Sequence, residues 1–171
     1  MDLLFFHPKT KQSIQCPLCI LLKGKHDLSS VKVRATIVED NTGIKSQIPI
    51  LLTEQGELSV VTDYLLKLEA DDVSHSVMNG VLQAVSLLLD YMEANRGDFD
   101  DPMLLFQTFS KRLYTGTIGE NGIDPSGLYW VPASTSNVNK HIQRLTAFTD
   151  WLAHKPVSYT HLRAHETCAD L

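Results

Sequence analysis

The spacing of apolar residues changes once along this chain, and that change limits what it can fold into. Val31, Val33, Ala35 and Ile37 alternate with Lys32, Arg34 and Thr36. A period of two puts one set of side chains on each face of a half-buried strand. Asp40-Asn41-Thr42-Gly43 then supplies turn residues, with Gly43 free to take positive φ. Ile44-Lys45-Ser46-Gln47-Ile48 resumes the alternation toward Pro49-Ile50-Leu51-Leu52. This predicts a β-hairpin. Proline cannot donate to a ladder, so Pro49 is expected at an edge or at the end of the second strand. Two strands alone are marginal in water, so the hairpin must rest on helices.

Past Gly56 the apolar spacing becomes three and four. Residues 58–68 predict a short helix with Val61, Leu65 and Leu68 on one side. Ser74 is placed to cap a longer helix in which Val77, Val81, Ala84, Val85, Leu88 and Met92 recur through Asn95. Leu82 and Leu89 widen that stripe toward a central position in the core, and Gly97 is the stop. Asp101-Pro102 reads as a cap and a first-turn proline, with Leu105, Phe109 and Leu113 continuing to Gly116. Four glycines with Pro125 and Pro132 mark 116–133 as a long loop. Ser134 or Ser136 caps a last helix carrying Val138, Ile142, Leu145, Phe148 and Leu152 beside Trp151, closed by Pro156. The expected fold is mainly α with an N-terminal β-hairpin, a helical bundle of about four helices. Its parts are a poorly specified segment (1–30), a hairpin arm (31–56), a helical domain (57–155) and a tail (156–171).

A chain of 171 residues, 43% of them hydrophobic, can bury one core without staples. Three cysteines do not make a disulfide framework, so a reducing cytoplasm is expected. No apolar run approaches the ~18 residues of a membrane span. Met1-Asp2-Leu3-Leu4-Phe5-Phe6-His7-Pro8 opens on an acid and breaks at proline, unlike a signal peptide. The net charge of −5 argues against a histone-like binder, but it is unevenly spread. Residues 1–50 carry seven Lys/Arg against four Asp/Glu, while residues 51–155 carry seven against fourteen. The acids therefore gather in the helical part, where charge blocks ordinarily form a solvated face.

Candidate chemistry is sparse. Cys16-x-x-Cys19 has the spacing of half a zinc site, but only His7 and His26 lie nearby and Cys168 is in the tail. The two thiols fit better as small hydrophobes beside Leu18 and Ile20, and no metal or other cofactor is expected. Asp98, Asp100 and Asp101 lack the spacing and terminal glutamate of a calcium loop. No phosphate-binding glycine loop, nucleophile elbow or carboxylate pair is present, so no catalytic residue is assigned. Lys111 and Arg112 on the third helix, with Lys140, His141 and Arg144 on the fourth, are the candidate phosphate contacts. Simple solvation of those charges is the competing account. Tyr114, Tyr129 and Trp130 fit core or loop anchors better than stacking platforms.

The stretch 136–155 resembles the last helix of a SAM-like core-binding domain of phage-type integrases, with Leu145, Phe148, Trp151 and Leu152 matching its core run. Pro49-Ile-Leu-Leu-Thr-Glu-Gln-Gly, Asp63-Tyr-Leu-Leu, Leu105-Phe-Gln-Thr-Phe, Arg112-Leu-Tyr-Thr-Gly-Thr and Gly122-Ile-Asp-Pro-Ser-Gly-Leu, in that order, resemble the site-specific integrases of gamma-mobile-trio elements. The likeness covers about 31–155. It implies a tyrosine recombinase of the bacterial cytoplasm whose SAM-like helical region clamps double-stranded DNA. It also implies homo-oligomers assembled on DNA through the full-length protein. The arginines, histidines and tyrosine that cut and rejoin DNA in that family belong to a C-terminal domain expected to be missing here, so no activity is expected of this portion. His141-Ile142-Gln143-Arg144 has the H-x-x-R spacing of that catalytic set, but no suitable arginine precedes it and Tyr159 lies in the tail. Residues 157–167 resemble a translated sequencing-adapter read-through and are expected to be artefactual and disordered. The alternative is a helical protein-interaction module that does not bind DNA.

Overall fold

The computed structural model describes residues 32–39, 45–53, 56–95 and 102–155. Strands β1 (Lys32–Glu39) and β2 (Lys45–Thr53) pair antiparallel, with Lys32 opposite Leu52 and Glu39 opposite Lys45. A two-residue β3 (Gly56–Glu57) joins the far side of β2 at Leu52 and Thr53. Four helices follow: α1 (Ser59–Ala70), α2 (His75–Asn95), α3 (Pro102–Thr115) and α4 (Thr135–His154). The described residues are thus mainly α behind an antiparallel hairpin, as the change of period predicts. The segment 1–30, the hairpin turn, Gly97, Asp101 and the tail lie outside the described residues.

One expectation about the hairpin is corrected. Strand β2 does not end at Pro49 but continues through it, opposite Ala35, as far as Thr53. The short β3 reaches only Leu52 and Thr53. Beside Pro49 the outer edge of β2 has no described partner strand, so the missing amide costs no ladder bond there.

Local chemistry sets the helix ends. Helix α1 closes in a Schellman motif: the Val73 amide donates to the Leu68 carbonyl and the Asp72 amide to that of Glu69, both at 3.0 Å. Asp72 takes the left-handed conformation this needs, φ 56°, and Val73 turns back onto the core. Ser134, rather than Ser136, caps α4. Its backbone is extended and its hydroxyl accepts from the Asn137 amide at 3.4 Å. Gly116 ends α3 at φ 74°, where a Cβ would lie 2.7 Å from the Trp130 carbonyl oxygen.

The core is built around α2, which packs on β2 and α4. Its buried face includes Met78, Val81, Val85, Leu88 and Leu89. Val77, in the first turn, is 39% exposed, and Met78 takes the buried place beside it. Ile48 and Leu51 bring the hairpin into the same core. Two aromatic clusters fasten the ends. Tyr64 of α1 meets Phe148 and Trp151 of α4 at 5.3 and 5.1 Å. Tyr91 of α2 meets Phe109 of α3 at 5.6 Å, and Trp130 joins them edge-on to Phe109 at 6.1 Å. Phe148 is 0% exposed, so Phe148→Ala is expected to cost about 3–5 kcal/mol in urea unfolding, since it opens a cavity and unseats both neighbouring rings.

Candidate nucleic-acid interface

The last turn of α3 and the first turns of α4 are held together. The Ala133 amide donates to the Leu113 carbonyl at 2.9 Å, and the Tyr114 hydroxyl donates to Asn139 Oδ1 at 2.9 Å. Lys111 and Tyr114 are three positions apart and share a flank of α3, while Arg112 lies about 100° round from Lys111. Lys111, Arg112 and Lys140 are exposed on the two helices that these bonds join. Arg144 is placed differently. Five positions separate it from Asn139, about 140° around α4. It stands four positions on from Lys140, on the same flank of α4, and its side chain reaches α2.

There its guanidinium covers Gly80. A Cβ built on Gly80 would lie 2.2 Å from Arg144 Cζ and 2.4 and 2.5 Å from its two Nη atoms, so the guanidinium can occupy this place only because residue 80 has no side chain. Gly80 escaped the sequence reading. Its signal was a glycine inside a strongly periodic helix, where alanine would favour the helix by about 1 kcal/mol.

Charge is sorted between the helices. Helices α3 and α4 carry Lys111, Arg112, Lys140 and Arg144 against Asp150 alone. Helices α1 and α2 carry Lys67 against Asp63, Glu69, Asp90 and Glu93. Among the described residues the ion pairs are Lys67 with Asp71, at 2.7 Å, and Lys155 with Asp63. None of the four candidate cations is therefore covered by a described carboxylate.

His141 behaves differently from those four. It is half-buried, and its Nδ1 is closed off from solvent with no hydrogen-bond partner among the described residues. Burial, with the Arg144 charge added, pushes its pKa below the usual histidine value. At neutral pH the ring is neutral and adds no charge to the face.

The loop between α3 and α4 is ordered by one buried carboxylate. Asp124 Oδ2 accepts from the Thr117 hydroxyl at 2.5 Å and the Tyr129 amide at 2.6 Å. Its Oδ1 accepts from the Ser126 amide and hydroxyl at 2.8 and 2.6 Å. Burial would raise its pKa, but the bonds from Ser126, Thr117 and the Tyr129 amide outweigh that and hold it well below the carboxylate range. The Thr117 hydroxyl also accepts from the Trp130 amide at 2.8 Å, so one residue ties both ends of the loop. Tyr129 is held at φ 52° and stands exposed, with Ile123 and Val131 also outside at 58% and 69%. Trp130 alone of the three singled-out aromatics is a core anchor; Tyr114 stands exposed and hydrogen-bonded to Asn139. Asp124-Pro125-Ser126-Gly127 is a recognisable Asx-turn sequence, but its reach to Thr117 depends on the folded loop.

Cys16, Cys19, His7, His26, the aspartates at 98–101, Tyr159 and Cys168 lie outside the described residues. Among the described residues no three His, Cys, Asp or Glu side chains converge, and no helix is long and apolar enough to cross a membrane. Comparison with protein-family models, curated proteins and solved structures gives no match to this chain.

Two outcomes follow from this geometry. Thr117→Val keeps the shape but strands the Trp130 amide, and is expected to cost about 1–3 kcal/mol in chemical unfolding. The lowered His141 pKa stabilises the fold above the unfolded value of about 6.5, and that contribution is lost as pH falls from there through the depressed folded value. The drop in urea midpoint between pH 7.5 and 5.5 should therefore be smaller in His141→Gln than in the parent.

Proposed function

We propose that this chain grips duplex DNA through α3 and α4, as the core-binding portion of a site-specific tyrosine recombinase that integrates a mobile element. The sorting of charge carries the DNA reading. Four cations against one carboxylate on α3 and α4 make a positive region inside a stretch that is net acidic, with the acids held on α1, α2 and the loops. A polyanion responds to that local field, not to the sum over the chain. Lys111, Arg112 and Lys140 reach phosphates as exposed charges, and Arg144 adds a fork that can take two phosphate oxygens. Contacts of this kind set position and register on the duplex without reading sequence. The recombinase class rests on the ordered likeness of segments across 31–155. In this reading strand cutting belongs to a separate catalytic domain.

A second reading is favoured by the apolar residues on the Asp124 loop. Ile123, Tyr129 and Val131 are exposed on a frame that hydrogen bonds hold fixed, which suits docking of a protein partner.

Salt separates the two. Four phosphate contacts give a slope of about −3.6 in log K against log salt, so duplex affinity should fall roughly a hundredfold between 50 and 200 mM. Fluorescence anisotropy with a labelled 30-base-pair duplex measures this, and Lys111→Gln with Arg112→Gln should flatten the slope by about 1.8. Absence of duplex binding at 50 mM salt would refute the DNA reading. A partner captured with a flat salt response, and lost on Ile123→Ser or Val131→Ser, would establish the second.

A further inference from the structure

We propose that Gly80 and Arg144 form a preformed phosphate-binding notch, in which the missing side chain on α2 fixes the guanidinium of α4 for one phosphodiester group of the duplex. The notch rests on the DNA reading above and deepens it. Gly80 is buried in the second turn of α2 and needs no unusual φ, so its value there is the space it leaves. That space is filled by the Arg144 guanidinium. A surface arginine ordinarily samples many rotamers; this one sets its guanidinium against the backbone of α2 at Gly80.

Its donors remain available. Arg144 makes no hydrogen bond or ion pair with any described residue, and none of its nitrogens is sealed from solvent as His141 Nδ1 is. One face of the guanidinium is blocked by α2, which leaves the N–H groups along its edge. Two parallel N–H bonds match the spacing of two phosphate oxygens. The neutral His141 ring one turn earlier sets no second positive charge beside it. An arginine that is oriented in advance, desolvated on one face and free of carboxylates has the properties of a phosphate contact, whereas a solvated surface arginine needs none of them.

The discriminating variant is Gly80→Ala, which changes no charge and touches no DNA itself. Its methyl group must push the guanidinium, the far end of a flexible side chain, out of the gap, while alanine favours the helix. Duplex affinity is measured at 50 and 200 mM salt for the parent, Gly80→Ala, Arg144→Gln and the double variant, with thermal melting as the check on folding. Loss of one phosphate contact lowers the ratio of the two affinities by about 3.5-fold. That loss is expected for Arg144→Gln and for Gly80→Ala alike. The double variant should bind no more weakly than Arg144→Gln, because the two changes remove one contact. Lys111→Gln should weaken binding equally in every background.

Parental affinity and salt ratio for Gly80→Ala, or additive losses in the double variant, would overturn the notch while leaving the DNA reading intact. Failure of the parent to bind duplex at all overturns both. If Gly80→Ala lowers the melting midpoint, Arg144→Lys takes its place. It keeps the charge but lacks the planar two-donor fork that the gap holds, so affinity should fall at both salts while the ratio of the two stays parental. Parental affinity for that variant would also overturn the notch.

Discussion

Burial around α2 is the constraint on which the rest of this structure depends. Its buried residues run from Gly80 on one flank to Leu82 on the other, an arc of about 200°. An ordinary surface helix hides a stripe nearer 100°. An apolar arc that wide cannot be satisfied by one neighbour, so β2 and α4 both pack against it and α1 and α3 close the ends. The hairpin, marginal by itself, is ordered by the same requirement, since Ile48 and Leu51 are part of this core.

Charge follows from that arrangement. With most of α2 turned inward, its carboxylates Asp90 and Glu93 are left on the remaining strip, and α1 adds Asp63 and Glu69. Helices α3 and α4 pack with less of their surface and keep four cations almost free of acids. A stretch that is net negative thus holds two helices that are net positive. Total charge is a poor guide to partner choice when helices sort it spatially.

The Asp124 loop shows how a segment rich in glycine and proline becomes rigid. One carboxylate accepts four hydrogen bonds, and Thr117 joins the two ends. The tie between Ala133 and Leu113 then passes that rigidity to the junction of α3 and α4. The relative placement of the cations on those two helices is accordingly set by the loop as well as by the core.

The hairpin followed by four helices could be read from the sequence, because it depends on local period and caps: the change at Gly56, Ser134 before the last helix, Gly116 after the third. The continuation of β2 through Pro49 could not, since it depends on how far β3 reaches. Lys111, Arg112, Lys140 and Arg144 could be named from charge and helix position alone. The seat of the Arg144 guanidinium over Gly80 could not. Residues 80 and 144 meet through the crossing of two helices, and periodicity carries no information about which gap a distant guanidinium will fill. His141 looked like a member of the same charged face, and tertiary burial made it a neutral one. The sequence by itself determined what each segment is, since period and capping act within a few residues; only the packed structure decided that Arg144 meets Gly80 and that His141 is half-buried, since those depend on contacts between residues far apart in the chain.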